Sequence, residues 1–297
     1  TLTLTGTNTY TGATTVSNGI LQIGEGLAAG EIGTVSTTNA VTVNAGATLR
    51  IYRSGTLDYQ TATRLRYVAG AGDIILEGTG ADKSLIIKNA PNSSSGTGYS
   101  DASSWAGFSG NLIIKGGAQY ITTRNGATAL GTGKVILGDA NSNGSLGENQ
   151  GNWTWTTNIQ VDGNNSYIDN QSSTAPRVMR LLSVLSGTGN LTLKDSVATM
   201  TNTDRGFILL ANNTLSGTLT LDAHTRVGGN ITQGATVSYS SGAYGTLGTA
   251  SVVINSAKVL SFTRTDAHIV ANNISGAGKV YVGSATGFNA SNSPNIT

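Results

Sequence analysis

A short sequence motif recurs along this chain and constrains its fold more than any other feature. In this motif, small turn residues lead into alternating apolar positions. One form, the double-glycine element, reads Gly-x-Gly ahead of the apolar positions, and its copies lie at 69–76, 186–193 and 275–282. The other form, the single-glycine element, has one glycine, and its copies lie at 10–16, 108–114 and 215–221. Recurrence of this kind is typical of repeat arrays, in which each unit buries its apolar face only against its neighbours.

The order of these copies predicts that the two ends of the array are complementary. Each of the first two double-glycine elements is followed by a single-glycine element, and the first such pair is more widely spaced than the second. The span from Gly276 past Thr297 to Gly12 of a following copy is intermediate between those two spacings. We therefore expect one continuous array over 1–297, built from three degenerate cycles of about 99 residues.

Composition and periodicity predict an almost entirely β fold. Glycine is abundant (41 residues), proline is scarce (3), and only 11% of residues are charged, against roughly 25% in an ordinary globular chain. Apolar residues alternate over three or four positions between Gly, Asn or Asp, and none recur at helical spacing.

Two all-β folds compete for such a chain. A cycle of about 99 residues is also the size of one β-sandwich domain. The short strands, and the lack of proline-containing linkers between cycles, favour a parallel β-solenoid of roughly a dozen rungs. Two polar segments, 89–106 and 139–176, interrupt the alternation of apolar residues and are expected to project as loops.

Several functional classes are disfavoured by the sequence. The net charge is +2 with scattered basic residues, which disfavours a nucleic-acid partner, and no apolar run is long enough to span a membrane. There is no cysteine, so neither a disulfide framework nor a thiolate metal site is available.

The first residues carry a more specific signal. Residues 2–24, with their Asn-Thr-Tyr-Thr-Gly core, Thr-Thr-Val strand and Gly-Ile-Leu-Gln-Ile-Gly close, resemble the autotransporter-associated β-strand repeat, also called the passenger-associated transport repeat. The resemblance implies a right-handed parallel β-helix in a large secreted or surface protein of a bacterium. It brings no catalytic residues with it, and no sequence resembling a translocator barrel follows.

Residues that could carry chemistry are few and dispersed. His224 and His268 have no metal-ligand spacing and are expected to be ordinary surface or turn residues. The 15 acidic residues form no paired cluster of the kind that glycoside cleavage requires. We therefore expect no enzyme activity, no metal and no cofactor.

Two groups of side chains are candidates for a contact surface. Arginine and tyrosine, which are enriched at recognition hot spots, cluster in one segment, and alternation alone would also place some of them on a solvated strand face. Two indoles on one face of a strand could stack on a sugar or pack beneath a loop. The candidate residues are Arg50, Tyr52, Arg53, Arg64, Arg66, Trp153 and Trp155.

The leading functional prediction is a structural protein that stacks head to tail with further copies of itself, because solenoid ends expose unpaired strand edges. The candidate axial interface consists of Leu2, Leu4, Val280 and Val282. The alternative is an adhesin or glycan-binding passenger that recognises a surface glycan or host ligand. A polysaccharide-processing enzyme on a β-helix is a third reading.

Overall fold

The chain folds into short strands joined by turns, and the described residues contain no helix. This is a computed structural model, and it describes residues 1–28, 41–58, 65, 67–90, 105, 107–122, 130–148, 153–171, 178–197, 206–228 and 244–282. The strands are β1 (Leu2–Leu4), β2 (Thr14–Val16), β3 (Ile20–Ile23), β4 (Val41–Val43), β5 (Thr48–Tyr52), β6 (Gly55–Asp58), β7 (Val68–Gly70), β8 (Asp73–Glu77), β9 (Leu85–Ala90), β10 (Gly107–Phe108), β11 (Leu112–Lys115), β12 (Ala118–Thr122), β13 (Val135–Leu137), β14 (Gly144–Glu148), β15 (Trp153–Trp155), β16 (Ile159–Val161), β17 (Ser166–Asn170), β18 (Val178–Leu181), β19 (Leu185–Ser186), β20 (Leu191–Asp195), β21 (Gly206–Leu209), β22 (Thr218–Asp222), β23 (Thr225–Val227), β24 (Ser251–Ile254), β25 (Val259–Phe262), β26 (Ile274–Gly276) and β27 (Lys279–Val282).

The strands pair in parallel to form four sheets. Sheet A has the order β1-β3-β5-β8-β11-β13-β16-β19, and sheet B has the order β10-β7-β4-β2. Sheet C has the order β26-β24-β22-β20-β17-β14-β12-β9-β6, and sheet D has the order β15-β18-β21-β23-β25-β27. From β4 to β12 the chain visits sheets B, A and C in turn, and from β13 to β21 it visits A, C and D in turn. Sheets B and D therefore take the same place in the cycle, between sheet C and the next strand of sheet A.

This cyclic order makes the fold a parallel β-solenoid, and the predicted fold class is confirmed. One turn of the cycle is one rung, and rungs differ in length: Leu2 pairs with Leu21, whereas Ile74 pairs with the more distant Leu112. Sheet A contributes a strand to each of the first eight rungs, and β22, β24 and β26 of sheet C belong to three further rungs. The right-handed turn implied by the family resemblance stays a prediction.

The core is one large apolar cluster between the sheets, with a small second cluster formed by Val178, Ile208 and Leu210. Within a strand, every second side chain points inward, so β8 and β22 alternate between half-buried and buried positions. Because the strands pair in register, inward residues of successive rungs stack on one another, as Leu193 does opposite Ile168 and Leu221. Stacking of this kind lets each rung bury its apolar face only against the rungs beside it.

The expectation of a projecting loop at 139–176 was wrong for the described part of that segment. It contains β14, β15, β16 and β17, which lie in sheets A, C and D. The polar clusters that suggested a loop form the tight turns between these strands: Asp139 and Ser142 form an isolated β-bridge, and Asn165 has a positive φ of 61°. In the other segment, 89–106, the structure describes the end of β9 and Trp105, and the remaining residues lie outside the described part.

The division into three cycles stays a prediction. The double-glycine elements at 69–76, 186–193 and 275–282 each join two consecutive strands of the solenoid. They join β7 to β8, β19 to β20, and β26 to β27, which leads from sheet B to A, from A to C, and from C to D, respectively. The three copies therefore lie in three different rungs and occupy three different corner positions of the cycle.

Candidate axial interface

The first glycine of each double-glycine element is fixed by its position against the preceding rung. Gly70, Gly187 and Gly276 have φ angles of 100°, 100° and 109°, a region that residues with a side chain rarely adopt. A Cβ on them would lie only 2.0, 2.2 and 2.2 Å from the carbonyl oxygens of Val43, Val161 and Ile254, respectively. These corners can therefore be closed only by glycine.

The second glycine of the element is hydrogen-bonded to the same carbonyl group. The N–H groups of Gly72, Gly189 and Gly278 donate to the carbonyl oxygens of Val43, Val161 and Ile254 at 2.9, 2.8 and 3.0 Å, respectively. The three copies thus share one local geometry, although they lie at different corners of the solenoid.

The single-glycine elements at 108–114 and 215–221 lie directly on the first two of these corners. A Cβ on Gly110 would lie 1.9 Å from the carbonyl oxygen of Gly72, and one on Gly217 would lie 2.1 Å from that of Gly189. The preceding residues bond to the same corners, because the Ser109 N–H donates to Gly70 O at 2.9 Å and the Ser216 N–H donates to Gly187 O at 3.0 Å. We call these two stacked pairs the closed corners.

The remaining copy of each element, the single-glycine copy at 10–16 and the double-glycine copy at 275–282, has no such partner among the described residues. A Cβ on Gly12 would have nothing within 4 Å, and Gly276 and Ala277 are exposed. We call Gly12 and the Gly276–Gly278 corner the open corners. They lie at opposite ends of the solenoid, because Gly12 precedes β2 and Gly276 ends β26.

The strands at these two ends have a neighbour on one side only within the described structure. β1 and β2 are the outermost strands of sheets A and B, and β26 and β27 are the outermost strands of sheets C and D. Each outermost strand leaves one row of backbone N–H and C=O groups without a ladder partner in these sheets. The described ends are therefore strand edges of the kind to which another strand can be added.

The four residues predicted for the axial interface lie on these edge strands. Leu2 is 63% exposed and Val282 is 42% exposed, although each is paired with an inward residue of the neighbouring strand, Leu21 and Phe262, respectively. Leu4 and Val280 are half-buried and pack against the edge of the core. The interface role of all four stays a prediction, because the structure contains one copy of the chain.

Arg50 and Tyr52, two residues of the predicted contact surface, contact neighbouring rungs. The guanidinium of Arg50 makes a two-point contact with the Glu77 carboxylate, at 2.9 and 2.8 Å, and donates to the Gln22 side chain at 2.8 Å. It also lies 4.8 Å from the centre of the half-buried Tyr52 ring. The Lys115 ammonium continues this ladder, at 3.6 Å from Glu77 and 3.2 Å from Asp139.

The other candidates for that surface are buried or lie outside the described residues. Arg53 is buried, and its guanidinium donates to the carbonyl oxygen of Ala28, so its assignment to an exposed surface was wrong. Trp155 is buried in the core, with its indole N–H donating to Thr157 O at 2.5 Å, so it is not an exposed sugar-stacking residue. Trp155 therefore lies on the inner face of β15. Arg64, Arg66 and the side chain of Trp153 lie outside the described residues.

The histidines lie in turns at different depths. His224 is half-buried between β22 and β23, and burial, with a smaller effect of Lys258, lowers its pKa below the ordinary value of 6.5, against a weaker opposite effect of Asp195. His268 is exposed in the segment before β26. Within the described part of the chain, no group of three or more His, Cys, Asp or Glu residues could hold a metal ion.

Carboxylates with described partners reinforce the contacts between rungs. Asp73 Oδ1 accepts hydrogen bonds from both the backbone and the side chain of Asn111, each at 3.0 Å. Burial alone would raise the pKa of Asp139, but hydrogen bonds from Asn141, Ser142 and Lys115 outweigh it and lower the pKa.

No helix among the described residues is long and apolar enough to cross a membrane.

Comparison with known proteins gives one match. Residues 1–23 match the passenger-associated-transport-repeat family, which confirms the resemblance over β1, β2 and β3. No curated protein and no solved structure matches the chain. The matched residues include Gly12 and the whole of the edge formed by β1 and β2, so the repeat that links this chain to passenger-type proteins lies at one end of the described solenoid.

Proposed function

We propose that this chain is a structural protein of the bacterial exterior, whose solenoid stacks head to tail with further copies into a filament or a continuous long rod. The observation that carries the proposal is the pair of edges formed by β1 with β2 and by β26 with β27. Parallel ladders inside the solenoid already join one rung to the next, so a second copy can extend the same ladders at either edge.

The cell-exterior location is supported by the match of residues 1–23 to a repeat named for its association with passenger transport. The parallel solenoid fits the architecture implied by that resemblance. The chain has no cysteine, so its stability comes from stacked rungs without covalent cross-links. A rod stabilised in this way has no dependence on the redox state of its surroundings.

A non-enzymatic role is supported by the use that the described carboxylates have. Glu77, Asp139 and Asp73 each bind groups on neighbouring rungs. Asp222 accepts a hydrogen bond from Asn255, one rung further on, at 3.1 Å. Carboxylates held in such contacts stabilise the stacking of rungs, whereas glycoside cleavage needs two carboxyl groups facing one substrate.

The adhesin or glycan-binding role is placed second. Its motivating residues were the two indoles of β15 and the arginine-tyrosine segment, and Trp155 is in the core while Arg50 is held by Glu77. Binding of the assembled protein to a glycan array, lost on replacing Tyr52 by alanine, would raise this function above the structural one.

The structural proposal is tested by following association of the purified chain as its concentration rises. Sedimentation and negative-stain electron microscopy should show rods that lengthen with concentration. Leu2→Lys places a charge on the exposed edge strand β1 and should reduce association at least tenfold. Leu27→Lys is the matched control, because Leu27 is an equally exposed leucine (66%) that lies outside the edge strands.

Three results would contradict the proposal. Particles of one length at every concentration would rule out axial assembly of this chain. An equal loss of association in the Leu2→Lys and Leu27→Lys variants would show that association is lateral or non-specific. Retained association in both variants would place the contact away from β1.

A further inference from the structure

We infer that the junction between two copies has one register, in which β27 of one copy pairs with β2 of the next, with Val280 opposite Thr14 and Val282 opposite Val16. This inference rests on the proposed end-to-end assembly and specifies the surface that each copy contributes. It follows from the glycine corners, whose closed forms inside the chain show how the open ones fit together.

The register is read from the closed corners. Leu112, two residues after Gly110, pairs with Ile74, which is two residues after Gly72. Leu219, two residues after Gly217, pairs with Leu191, which is two residues after Gly189. The two closed corners therefore obey the same rule.

Applied to the open corners, the rule gives one alignment. Thr14 lies two residues after Gly12, and Val280 lies two residues after Gly278. Gly12 of the following copy would then sit on the Gly278 carbonyl group, as Gly110 sits on that of Gly72. The space around Gly12 is open, so one copy of the chain can accept this contact without rearrangement.

The side of the solenoid also agrees. The closed corner at Gly72 leads from sheet B to sheet A, and the closed corner at Gly189 leads from sheet A to sheet C. The open corner at Gly278 leads from sheet C to sheet D, and Gly12 leads into β2 of sheet B. Because sheets B and D take the same place in the cycle, β2 is the strand that belongs above β27.

The inward and outward faces match in this register. Val16 is buried, and Val280 packs against the edge of the core. Val282 pairs with Phe262, an inward residue of β25, and is 42% exposed because no described strand lies above it. Placing Val16 of the next copy opposite Val282 continues the apolar column and removes exposed apolar surface from water.

One residue makes the junction weaker than the closed corners. Asp73 Oδ1 accepts the Asn111 N–H at 3.0 Å, and Asn190 Oδ1 accepts the Thr218 N–H at 2.9 Å. The equivalent residue at the open corner is Lys279, whose ammonium group has no acceptor for the N–H of Ala13. Lysine on an edge strand also opposes uncontrolled pairing, so it raises the concentration at which the junction forms.

The absence of native cysteine allows a direct test by disulfide trapping. The register places Ala13 opposite Lys279, and both are exposed. Neighbouring strands are about 4.8 Å apart, which lies within the Cα separations that a disulfide accepts. The double variant Ala13→Cys with Lys279→Cys should therefore give a ladder of reducible oligomers on mild oxidation at assembling concentrations.

The control shifts one cysteine by two residues on the same face. Thr15 is also exposed, and the pair Thr15→Cys with Lys279→Cys would separate the Cα atoms by about 8 Å, beyond the reach of a disulfide. Cross-linking of the 13/279 pair at least tenfold more than of the 15/279 pair supports the register. Assembly of the unmodified chain with cross-linking of only the 15/279 pair, or of neither pair, overturns the register and leaves the proposed function standing.

A second variant tests the same register without cross-linking. Lys279→Asn restores the acceptor found in the closed corners and should lower the concentration needed for assembly about fivefold, the effect of one net hydrogen bond. An unchanged or raised concentration would contradict the inferred register. If the unmodified chain does not assemble at any concentration, it is the proposed function that fails.

Discussion

The closed corners and the open corner at Gly12 contain the same single-glycine element in different surroundings. A Cβ on Gly110 or Gly217 would enter the backbone of the rung below, whereas a Cβ on Gly12 would meet nothing within 4 Å. None of these three glycines has a positive φ, so the difference lies in packing and not in backbone conformation. The glycine of this element is therefore required for packing inside the solenoid but not at its end, because each rung is constrained only by its neighbours.

The largest expected difference between interior and end comes from truncating an apolar side chain. Leu193→Ala should lower the free energy of unfolding by about 3 kcal/mol, because Leu193 is fully buried and its cavity is fixed by Ile168 and Leu221. Leu2→Ala should cost less than about 0.5 kcal/mol, because Leu2 is exposed. Denaturant titration of the dilute, unassembled chain measures both, and equal losses would break the comparison.

The next largest effect separates the two kinds of corner. Gly110→Ala should destabilise the chain by about 2–3 kcal/mol, since the new methyl group must displace the Gly72 carbonyl group. Gly12→Ala should leave the stability of the unassembled chain within about 0.5 kcal/mol of the parent.

The same pair of variants also separates folding from assembly. Gly12→Ala should raise the concentration needed for assembly at least tenfold, because at the junction its methyl group meets the carbonyl group of Gly278. The readouts are thermal melting of dilute protein and sedimentation of concentrated protein. Normal assembly of Gly12→Ala would show that Gly12 is not stacked in the assembled state.

Two tyrosines test how much a buried hydroxyl group without a hydrogen-bond partner destabilises the interior rungs. Tyr120 is inward and buried, its hydroxyl has no hydrogen-bond partner among the described residues, and burial raises its pKa. Tyr120→Phe should raise the free energy of unfolding by about 1 kcal/mol, because an unsatisfied buried hydroxyl is removed. Tyr167→Phe is the opposite case, since the Tyr167 hydroxyl donates to Asp82 at 2.9 Å, and should lower it by about 1 kcal/mol. Shifts of the same sign in both variants would contradict this account.

The smallest expected effect is a pH dependence from the half-buried histidine. Folding lowers the pKa of His224, so the unfolded chain binds its proton more readily than the folded chain. The free energy of unfolding should therefore fall as the pH drops through about 6.5, and His224→Gln should flatten that part of the profile. His268→Gln, at the exposed histidine near β26, is the matched control. A flattened profile in the control alone would assign the effect to the end of the solenoid.

Much of the fold follows from the sequence because local signals are repeated. The period of two predicts that Ile51 points inward and that Arg50 and Tyr52 point outward, and in the structure Ile51 is buried while Arg50 and Tyr52 are half-buried. The polar clusters of 139–176 misled, because Asn-Gly and Asp-Gly pairs form either a loop or a tight corner between strands. Only the pairing of β14 to β17 with neighbouring rungs distinguishes the two.

The candidate site was only partly predictable. The glycine spacing identified the corner elements, and the prediction that Leu2 and Val282 lie on edge strands followed from their places near the two ends of the array. The burial of Arg53 and Trp155 did not, since period two shows that residues share a face but not whether that face is covered. Arg53 continues the alternation of β5, two residues after the buried Ile51, and it was its charge that argued against burial.

By itself the sequence determined that this chain forms short parallel strands joined at glycine corners, because alternation and positive φ are local properties of the backbone. It also determined that the two elements occur in matching numbers. Only the tertiary structure decided which element stacks on which, and that Gly12 and Gly278 remain without described partners at opposite ends. The physical reason is that stacking depends on rung lengths, which vary along the chain, and on pairing between distant strands, and no local sequence signal fixes either.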